Sequence, residues 1–570
     1  MTRIDHSGLG LFSQNKPGAW LCGLLCLTIF PLATLRAQTP VYSHNEYWGV
    51  AGWNTEPHLE ETQLQISNTN NQVNLWWPAG ITNAAVIQAT TDLSAESEWT
   101  TLPNQPIESA GYSGAGVIYQ HKMTVVPQFD QQYFRLTGVG TARLPVFSFA
   151  IFYNDQLEFT QSPPLTIRGR VHANGPICLG AAAGNTLRFT KAVTTASSIV
   201  YSNMAGFSNF STAVYEGTPT NRIGTPKLQP LGVIQATSLA AAFREIINLP
   251  PSAEPPNSLL GQLRYHNKAA LVLLVSNTSV TLTIKNQGAL TGVSTNVLYN
   301  SSLPSNAERT NLAHAFPFLT VTNRFRDYRE AKWVMPTDIN IGILKNWLPT
   351  NALVLSHYPA GSGSYPNIMY VADLRTITNL HAVRVSNGAI IPTNGPSAPQ
   401  ATGFTLATPN PLYVWGHYNT PISGHQGTTN TTATYPSSLV SDSITILSSS
   451  WTDNVYGNGL TTLPSRNAVM TTVNAALIAG SVYTTGSTVG QWSGGVQNLV
   501  RLLEDWSGRT LTLNTSLVVL YNSAKATNQF QNPGVYYNAP TRNFNFDQNF
   551  LSPSKLPPGT PMVSGIVPPN

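Results

Sequence analysis

Apolar and polar residues alternate most clearly in residues 157–200. From Leu165 the apolar positions fall on every second residue, which is the period of a β-strand with one buried face. Asn174-Gly175 is a predicted turn, because both residue types tolerate positive φ, and shorter alternations begin at Ile177 and Leu187. The intervening positions of the first strand are predicted to face solvent: Thr166, Arg168, Arg170 and His172.

Short strands separated by Gly/Asn corners, about ten residues apart, predict the rungs of a parallel β-helix. An antiparallel sandwich stays open as the alternative, because Asn-Gly is also a strong hairpin signal. The pattern returns after residue 351. We therefore predict first β-helix-like rungs at residues 145–200, an α+β insertion at 201–350, and a C-terminal β-helix-like body with one packed helix at 351–565.

Periodicity places further elements in these regions. Residues 269–284 read as an apolar strand, an Asn-containing turn and an alternating strand, which predicts a buried hairpin. A spacing of three and four residues predicts helices at 238–249, at 338–348 with Asp338 at the start, and at 495–506. In the last helix, Glu504 follows Arg501 by three residues, as a helical ion pair does. Further short strands are predicted at 353–355, 368–371, 382–385, 403–418, 444–447, 474–480 and 517–521.

Residues 41–142 predict a separate β-sandwich of short strands with turn residues between them. The layout NLWWPAG…VIQATTDLSAESEWTTLP…QQYFRL resembles the fibronectin-like modules attached to exported bacterial proteins. The tryptophans of this module are either core residues or a surface on which sugar rings stack.

The N-terminus predicts export. Arg3 and Lys16 precede an apolar core at residues 19–33, and Ala37 offers a small residue before a cut ahead of Gln38. This pattern is typical of a secretory signal peptide at residues 1–37, with an uncleaved anchor helix as the alternative. The predicted location is the periplasm, the cell surface or the extracellular space, with no stable membrane span after cleavage.

Composition narrows the function further. Only 10% of residues are charged, and 30 basic against 25 acidic residues give a net charge of +5 with no concentrated basic run, so no nucleic-acid partner is predicted. Of the three cysteines only Cys178 lies outside the signal peptide. The mature chain can therefore form neither an intrachain disulfide nor a cysteine-based metal site, and Cys178 is predicted to be a small buried hydrophobe.

A series of blocks carries a wider resemblance. In order along the chain they are LTIRGRVHANGPICLG, SLLGQLRYHNKAALVLLVSN, DYREAKW, LYVADLRT, NPLYVWGHYNTP, SDSITILSSSWTDN, NAALIAG, SGGVQNLVRLLEDWSG, SLVVLYNS and FNFDQNFLSPSKLPPGTP. Over residues 145–565 the chain resembles a family of exported bacterial proteins of unassigned function, related to pilus-assembly-like proteins. Members often begin with a pilin-like helix, which this chain replaces with the signal peptide and the sandwich. The resemblance supplies no catalytic residues.

A β-helix also raises the hypothesis of a polysaccharide lyase or hydrolase, whose chemistry needs clustered carboxylates and a basic partner. Acidic and basic residues lie close together in RDYREAKW. This spacing favours local ion pairing over a catalytic site. The same holds for Asp373 and Arg375. The acidic and basic residues of RDYREAKW are Arg326, Asp327, Arg329, Glu330 and Lys332.

The remaining candidates are isolated. Asp442, Asp453 and Asp547 suit turns, where a carboxylate accepts backbone N–H bonds. His417 and His425 lack a third metal ligand nearby. Three further histidines stand apart in the sequence: His266, His357 and His381.

One glycine pair indicates a candidate anion-binding site. Ser493-Gly494-Gly495 is typical of an anion-binding nest before a helix, although the glycines more simply permit a tight entry.

We therefore predict an exported, non-enzymatic structural or surface-interaction protein with no catalytic, cofactor or metal residues assigned. Its predicted partners are envelope or pilus components, or a surface polysaccharide. A carbohydrate-active β-helix enzyme and a carbohydrate-binding protein that uses the sandwich tryptophans are the alternatives.

Overall fold

The computed structural model describes residues 144–566 except for short gaps, and before residue 144 it describes only the backbone of strands. The gaps are 202–209, 212, 217–220, 223–226, 231–242, 287–288, 290, 377–378, 395–401, 454–462 and 532–535. The chain divides into two compact units, residues 1–144 with 564–570 and residues 145–563. The described residues are mainly β, with parallel sheets, as the sequence predicts.

In the first unit the paired strands are antiparallel. The predicted signal peptide and the tryptophans of the predicted sandwich lie outside the described residues, apart from strand backbone. The strand bounds before the second unit are Thr2–Ile4, Leu24–Thr28, Leu35–Gln38, Gln65–Thr69, Gln72–Pro78, Ala85–Thr90, Thr100–Thr101, Glu108–Ala110, Gln120–Val125, Gln131–Gly138 and Thr141–Pro145.

The second unit begins with short strands and then alternates strands with short helices. Its early strands are β1 (Ile151–Tyr153), β2 (Leu157–Ser162), β3 (Leu165–Ile167), β4 (Val171–Ala173), β5 (Ile177–Ala182), β6 (Leu187–Phe189), β7 (Val193–Thr195), β8 (Ile199–Val200), β9 (Phe210–Ser211), β10 (Ala213–Tyr215), β11 (Asn221–Arg222) and β12 (Gln229–Pro230). The middle strands are β13 (Leu271–Val275), β14 (Ser279–Ile284), β15 (Val293–Leu298), β16 (Leu319–Thr320), β17 (Phe325–Asp327) and β18 (Lys332–Asn340).

The later strands are β19 (Ile368–Asp373), β20 (Leu380–Gly388), β21 (Phe404–Ala407), β22 (Leu412–Tyr418), β23 (Ser437–Ser441), β24 (Ile444–Leu447), β25 (Thr471–Asn474), β26 (Ala476–Ala479), β27 (Val500–Leu502), β28 (Thr510–Thr515), β29 (Leu517–Val519), β30 (Thr541–Phe546) and β31 (Met562–Ile566). The α-helices with both ends among the described residues are α1 (Leu259–Leu263), α2 (Tyr265–Lys268), α3 (Asn306–Ala315), α4 (Ile341–Trp347) and α5 (Ala352–His357). No helix among the described residues is long and apolar enough to span a bilayer.

The largest sheet has twelve strands in the order β11-β7-β4-β1-β29-β26-β23-β21-β19-β13-β14-β15. Pairing is parallel from β11 to β13. The β13–β14–β15 end is antiparallel. The predicted hairpin at 269–284 is confirmed as β13 and β14, with Leu271 opposite Ile284.

The short-repeat region (residues 151–222) forms parallel pairs in three sheets at once. Ile151 pairs with Val171, and Val171 in turn pairs with Val193. Hydrogen bonds between neighbouring repeats accordingly span 20 and 22 residues. Strands β2, β5 and β8 pair in a second sheet, and β3, β6 and β10 in a third. Side chains at paired positions therefore lie directly above one another, as in the stacked rings of Phe189 and Tyr215.

The long-repeat region (residues 368–546) uses the same parallel pairing with longer spacing. In the twelve-stranded sheet Phe404 pairs with Ser437, and Leu477 pairs with Leu517. Hydrogen bonds between neighbouring repeats here span 33 and 40 residues. A ten-stranded sheet runs beside it in the order β16-β18-β20-β22-β25-β28-β30, with β17 on β18 and with β24 joining β22 to β27. A cluster of buried side chains lies along this sheet: Phe325, Val334, Leu380, Ala382, Tyr413, Leu447, Trp451 and Leu503.

The two regions join in an order that the sequence does not predict. We expected residues 157–200 to begin a body that resumes beyond residue 351. Instead, β1 pairs in parallel with β29 near the C-terminus, with Ile151 opposite Leu517. The amide of Asn154 also donates to the carbonyl of Leu520 (3.1 Å). The short-repeat region therefore stacks on the last strand of the long-repeat region in this sheet.

One helix prediction is wrong, and a second helix is confirmed with a later start than predicted. Residues 495–506 form a 3₁₀ turn at Val496–Asn498 followed by strand β27, which pairs in parallel with β24. The apolar residues of the expected helical face are all buried, because short apolar runs fit a buried strand as well as a helix. Helix α4 starts after Asn340, whose side chain caps Ile343 N, while Asp338 lies in β18.

The strand prediction at 353–355 is also wrong, because these residues lie in helix α5. The Asn351 side chain accepts hydrogen bonds from the backbone N–H of Leu353 and Val354 and caps the helix start. Of the helix predicted at 238–249, only residues 243–249 lie among the described residues. There, Phe243, Ile246 and Ile247 are buried. Most other strand predictions coincide with observed strands, with 444–447 exact as β24.

The opening alternation needs two corrections. Residues 165–173 form two strands with a corner between them, and His172, expected to face solvent, is 2% exposed. Arg168 is exposed, as predicted, and Arg170 lies over the Phe149 ring. Gly175 does not adopt positive φ. It is required because a Cβ there would approach the backbone of Asp155 to 2.7 Å.

Candidate ligand-binding cleft

A cleft opens where the short-repeat region meets residues 480–501. It encloses about 420 Å³, open solvent included. Its walls come from β1 and β2, from the loop between β26 and β27, and from residue Arg329 after β17. The lining residues are Tyr153, Gln156, Glu158, Arg329, Gly480, Ser481, Val482, Tyr483, Ser493, Gly495, Val496, Asn498, Leu499 and Arg501.

Glu158 is the acidic residue of the cleft and is 4% exposed. Its carboxylate accepts hydrogen bonds from the hydroxyls of Thr484 (2.6 Å) and Ser493 (2.6 Å), and from that of Thr160. Hydroxyl donors of this kind satisfy a buried carboxylate without neutralising its charge. The cleft therefore contains a hydrogen-bonded negative charge.

Two guanidinium groups lie in the same cleft. Arg501 donates to Glu330 Oε1 (2.5 Å) and to the carbonyl of Ala526 (2.6 Å), so its charge is paired. Arg329 is 6% exposed and donates from Nε to the carbonyl of Asn528 (3.3 Å). Burial and the nearby positive charge of Arg501 lower the pKa of Arg329 to about 10. Arg329 stays cationic at neutral pH.

Two tyrosines complete the polar wall. Burial raises the pKa of Tyr153 well above its usual range, and the negative charge of Glu158 adds to the shift. Burial also raises the pKa of Tyr483, helped by the carboxylate of Asp155. Both phenols are therefore neutral hydrogen-bonding groups at neutral pH. The cleft can bind a polar ligand through neutral hydroxyls, one cation and one anion.

The local ion pairing predicted for RDYREAKW is wrong, because its two acids bind residues that are distant in the sequence. Asp327 accepts from the hydroxyl of Tyr413 (2.6 Å), and Glu330 pairs with Arg501, 171 residues away. The predicted helical pair of Arg501 with Glu504 is wrong. Glu504 instead accepts from the N–H and hydroxyl of Ser448 (2.6 and 2.7 Å).

Other charges are also paired inside the fold. Asp373 and Arg375 form a fully buried pair, with Arg375 Nη2 2.6 Å from Asp373 Oδ2. Arg384 bridges Asp338 and Asp453 while its guanidinium lies over the Trp415 ring. The Arg384 pairs join segments that lie 46 and 69 residues away in the sequence.

The predicted turn carboxylates divide into two kinds. Asp442 accepts from three successive backbone N–H groups, at residues 524–526, and pairs with Arg244. Asp547 caps the turn at Asn549 (3.0 Å), which confirms the predicted role for both. Asp453 is different, because it pairs with Arg384 instead of closing a turn.

The histidine pair does not form a site in the described residues. His417 Nδ1 accepts from the backbone N–H of Thr472 (3.1 Å), and His425 contacts the amide of Asn430 (3.2 Å). No group of three or more His, Cys, Asp or Glu side chains that could hold a metal occurs within the part of the chain that the structure describes. Cys178 is a buried free thiol, as predicted.

The Gly494-Gly495 pair adopts positive φ at both residues (+89° and +68°), before a 3₁₀ turn and not a helix. Ser493 uses its hydroxyl on Glu158. The glycine motif points to this serine, whereas the only local signal for Glu158 is an acid between Leu157 and Phe159.

Comparison with protein-family models, with curated proteins and with solved structures gave no match.

Proposed function

We propose that this chain is an exported, non-enzymatic structural or surface-interaction protein with a β-helix-like body. The observation that carries the proposal is the unbroken parallel pairing of ten strands, from β13 through β29 and β1 to β11. At a strand spacing of about 4.8 Å, such a stack is roughly 43 Å long. A stiff stack of this kind suits adhesion or assembly.

Side-chain ladders support the β-helix interpretation. The amide of Asn419 donates to the carbonyl of Asn474 (2.9 Å), that of Asn474 to the carbonyl of Asn419 (2.8 Å), and that of Asn514 to Asn474 Oδ1 (2.8 Å). Stacked amides of this kind satisfy buried backbone groups at successive corners. A crystal structure in which β1, β4 and β7 pair antiparallel would contradict the β-helix-like body.

The functional proposal combines this body with the predicted signal peptide, the predicted sandwich spacer and the resemblance to pilus-assembly-like proteins. Its partners would be envelope or pilus components, or a surface polysaccharide. The buried ion pairs support it, because those carboxylates and guanidiniums are engaged with one another in structural roles.

Cell fractionation with N-terminal sequencing tests the exported state. We expect a mature protein that begins at Gln38 in the periplasmic, surface or extracellular fraction. Crosslinking in intact cells should then recover envelope or pilus components. A full-length protein that stays in the cytoplasmic fraction would contradict the proposal.

A carbohydrate-active enzyme is the second candidate, and the cleft is the observation in its favour. Glu158 and Arg329 line one cavity with Tyr153, which gives a carboxylate, a guanidinium and a phenol in one place. Turnover assays on a panel of acidic and neutral polysaccharides test this candidate. Product formation that is lost in Glu158→Gln would favour the enzyme over the non-enzymatic protein.

A further inference from the structure

Three polar groups in the cleft have hydrogen-bonding capacity left over. Arg329 uses only Nε in hydrogen bonding, so Nη1 and Nη2 have no hydrogen-bond partner among the described residues. The hydroxyl of Tyr153 likewise has none there, although its side chain is 5% exposed. The buried hydroxyl of Ser481 has no partner in the described part of the chain. All three are donors, which calls for a ligand rich in oxygen.

The charges of the cleft restrict the ligand further. Arg501 is paired with Glu330, which leaves Arg329 as the guanidinium of the cleft with donors to spare. A guanidinium matches a carboxylate with two parallel hydrogen bonds. The negative charge of Glu158 in the same cleft disfavours a dianion such as phosphate. A ligand with a single negative charge fits better.

The remaining walls favour a ring with hydroxyl groups. Val482, Val496 and Leu499 provide apolar surface beside the hydroxyls of Tyr153 and Ser481. Sugar rings have both an apolar C–H face and polar edges.

We infer that the cleft binds a uronic acid unit of an acidic polysaccharide, with the sugar carboxylate on Arg329 and its hydroxyls on Tyr153 and Ser481. This inference goes beyond the proposed scaffold function and does not depend on it. Binding of a soluble uronate tests the cleft alone, whereas fractionation and crosslinking test export and assembly.

Titration calorimetry on the mature chain tests the inference, with galacturonate and glucuronate oligomers as ligands. We expect Arg329→Met to weaken binding about 30-fold, because a hydrogen-bonded charge partner is lost. Tyr153→Phe should weaken it about fivefold, because only one hydroxyl is removed. Arg509→Met, at an exposed arginine outside the cleft, is the matched control and should leave the affinity unchanged.

Neutral oligosaccharides of equal length, inorganic phosphate and a glutamate-rich peptide are the competing probes. Equal or tighter binding of any of these would overturn the inference, as would the absence of uronate binding. Thermal melting of each variant shows whether it folds. If Arg329→Met does not fold, Tyr153→Phe and Ser481→Ala decide, since both remove a hydroxyl and leave the charges in place. Unchanged affinity in both would overturn the inference.

Discussion

The short-repeat region and the long-repeat region share one sheet but satisfy their buried polar groups differently. In the short-repeat region the interior polar contacts are made by neutral groups. His172 bonds to Thr194 (2.9 Å) and Asn174 (3.0 Å), and Asn174 donates to Asn154 (3.0 Å). Glu158 is the charged exception, and it lines the cleft.

The long-repeat region instead pairs a buried guanidinium with a carboxylate from another segment, as in Arg384 with Asp453, 69 residues away. The difference follows from the length of chain between paired strands. A repeat of 20 to 22 residues leaves little loop to supply a partner, whereas a repeat of 33 to 40 residues brings extra segments against each rung. A buried charge needs such partners, because an unpaired one is very costly. Repeat length therefore sets which chemistry the interior can hold.

The largest expected effect comes from breaking a buried ion pair. Arg375→Met should lower the free energy of unfolding by about 4 kcal/mol, because it leaves the Asp373 carboxylate buried without its cation. Denaturant unfolding measures the change. The counterpart is Arg188→Met in the short-repeat region, which breaks a half-exposed pair with Glu216 and should cost less than about 1 kcal/mol. Equal losses in the two variants would contradict the comparison.

The next largest effect is a pH dependence of the free energy of unfolding that comes from the long-repeat region. Burial raises the pKa of Glu504 to about 7, against opposing hydrogen bonds from Ser448. The folded protein therefore holds a proton that the unfolded carboxyl, with a pKa near 4.5, releases. The contribution of Glu504 to stability falls as pH rises from 4.5 to 7, by about 3 kcal/mol in all. Urea unfolding at pH 4.5 to 8 should show that Glu504→Gln removes this loss. An unchanged pH profile in this variant would refute the assignment.

The short-repeat region should respond with the opposite sign. Burial lowers the pKa of His172 to about 4. The unfolded imidazole takes up a proton near pH 6.5 while the folded one stays neutral, so stability falls as pH drops from 6.5 toward 4. The size is again about 3 kcal/mol. In His172→Gln the loss of stability between pH 6.5 and 4 should disappear. The pH dependence that comes from Glu504 should remain. A variant that still loses stability between pH 6.5 and 4 would assign the effect to other groups.

The smallest expected effect concerns the corners of the short-repeat region. Gly175→Ala should cost about 2 kcal/mol, because the new methyl group would lie 2.7 Å from the Asp155 backbone carbon. Gly184→Ala, with open space but a φ of +81°, should cost about 1 kcal/mol. Thermal unfolding of the two variants compares the cost of a steric contact, at Gly175, with the cost of an unfavourable backbone conformation, at Gly184. A larger loss in Gly184→Ala would reverse the proposed order.

Local pattern predicted much of the long-repeat region. β24 and the hairpin of β13 with β14 were predicted because apolar runs there are bounded by turn residues. The same rule failed at 495–506, where the apolar positions fit a helix and a strand equally well. These residues form strand β27 because they pair in parallel with β24. β24 is distant in the sequence, so local pattern does not reveal it.

The candidate cleft was not predictable in the same way. Glu158 receives hydroxyls from Thr484 and Ser493, which lie 326 and 335 residues later. Arg329 was correctly placed in a charged cluster, but its neighbour Glu330 pairs with Arg501 at a separation of 171 residues. No local spacing encodes such contacts. The position of His172 was misjudged because a neutral histidine can be buried once both ring nitrogens have hydrogen-bond partners, here Thr194 and Asn174.

The pairing of β1 with β29 has a consequence for biosynthesis. The side chain of Asn154 can form its hydrogen bond only after Leu520, 366 residues further along the chain, has been synthesised. At 5–20 residues per second, a ribosome needs roughly 20 to 70 seconds to make that stretch. During this interval the growing polypeptide carries an open strand edge at β1, which is a hazard for self-association. A polypeptide truncated before Leu517 cannot close that edge, because the paired strand is missing.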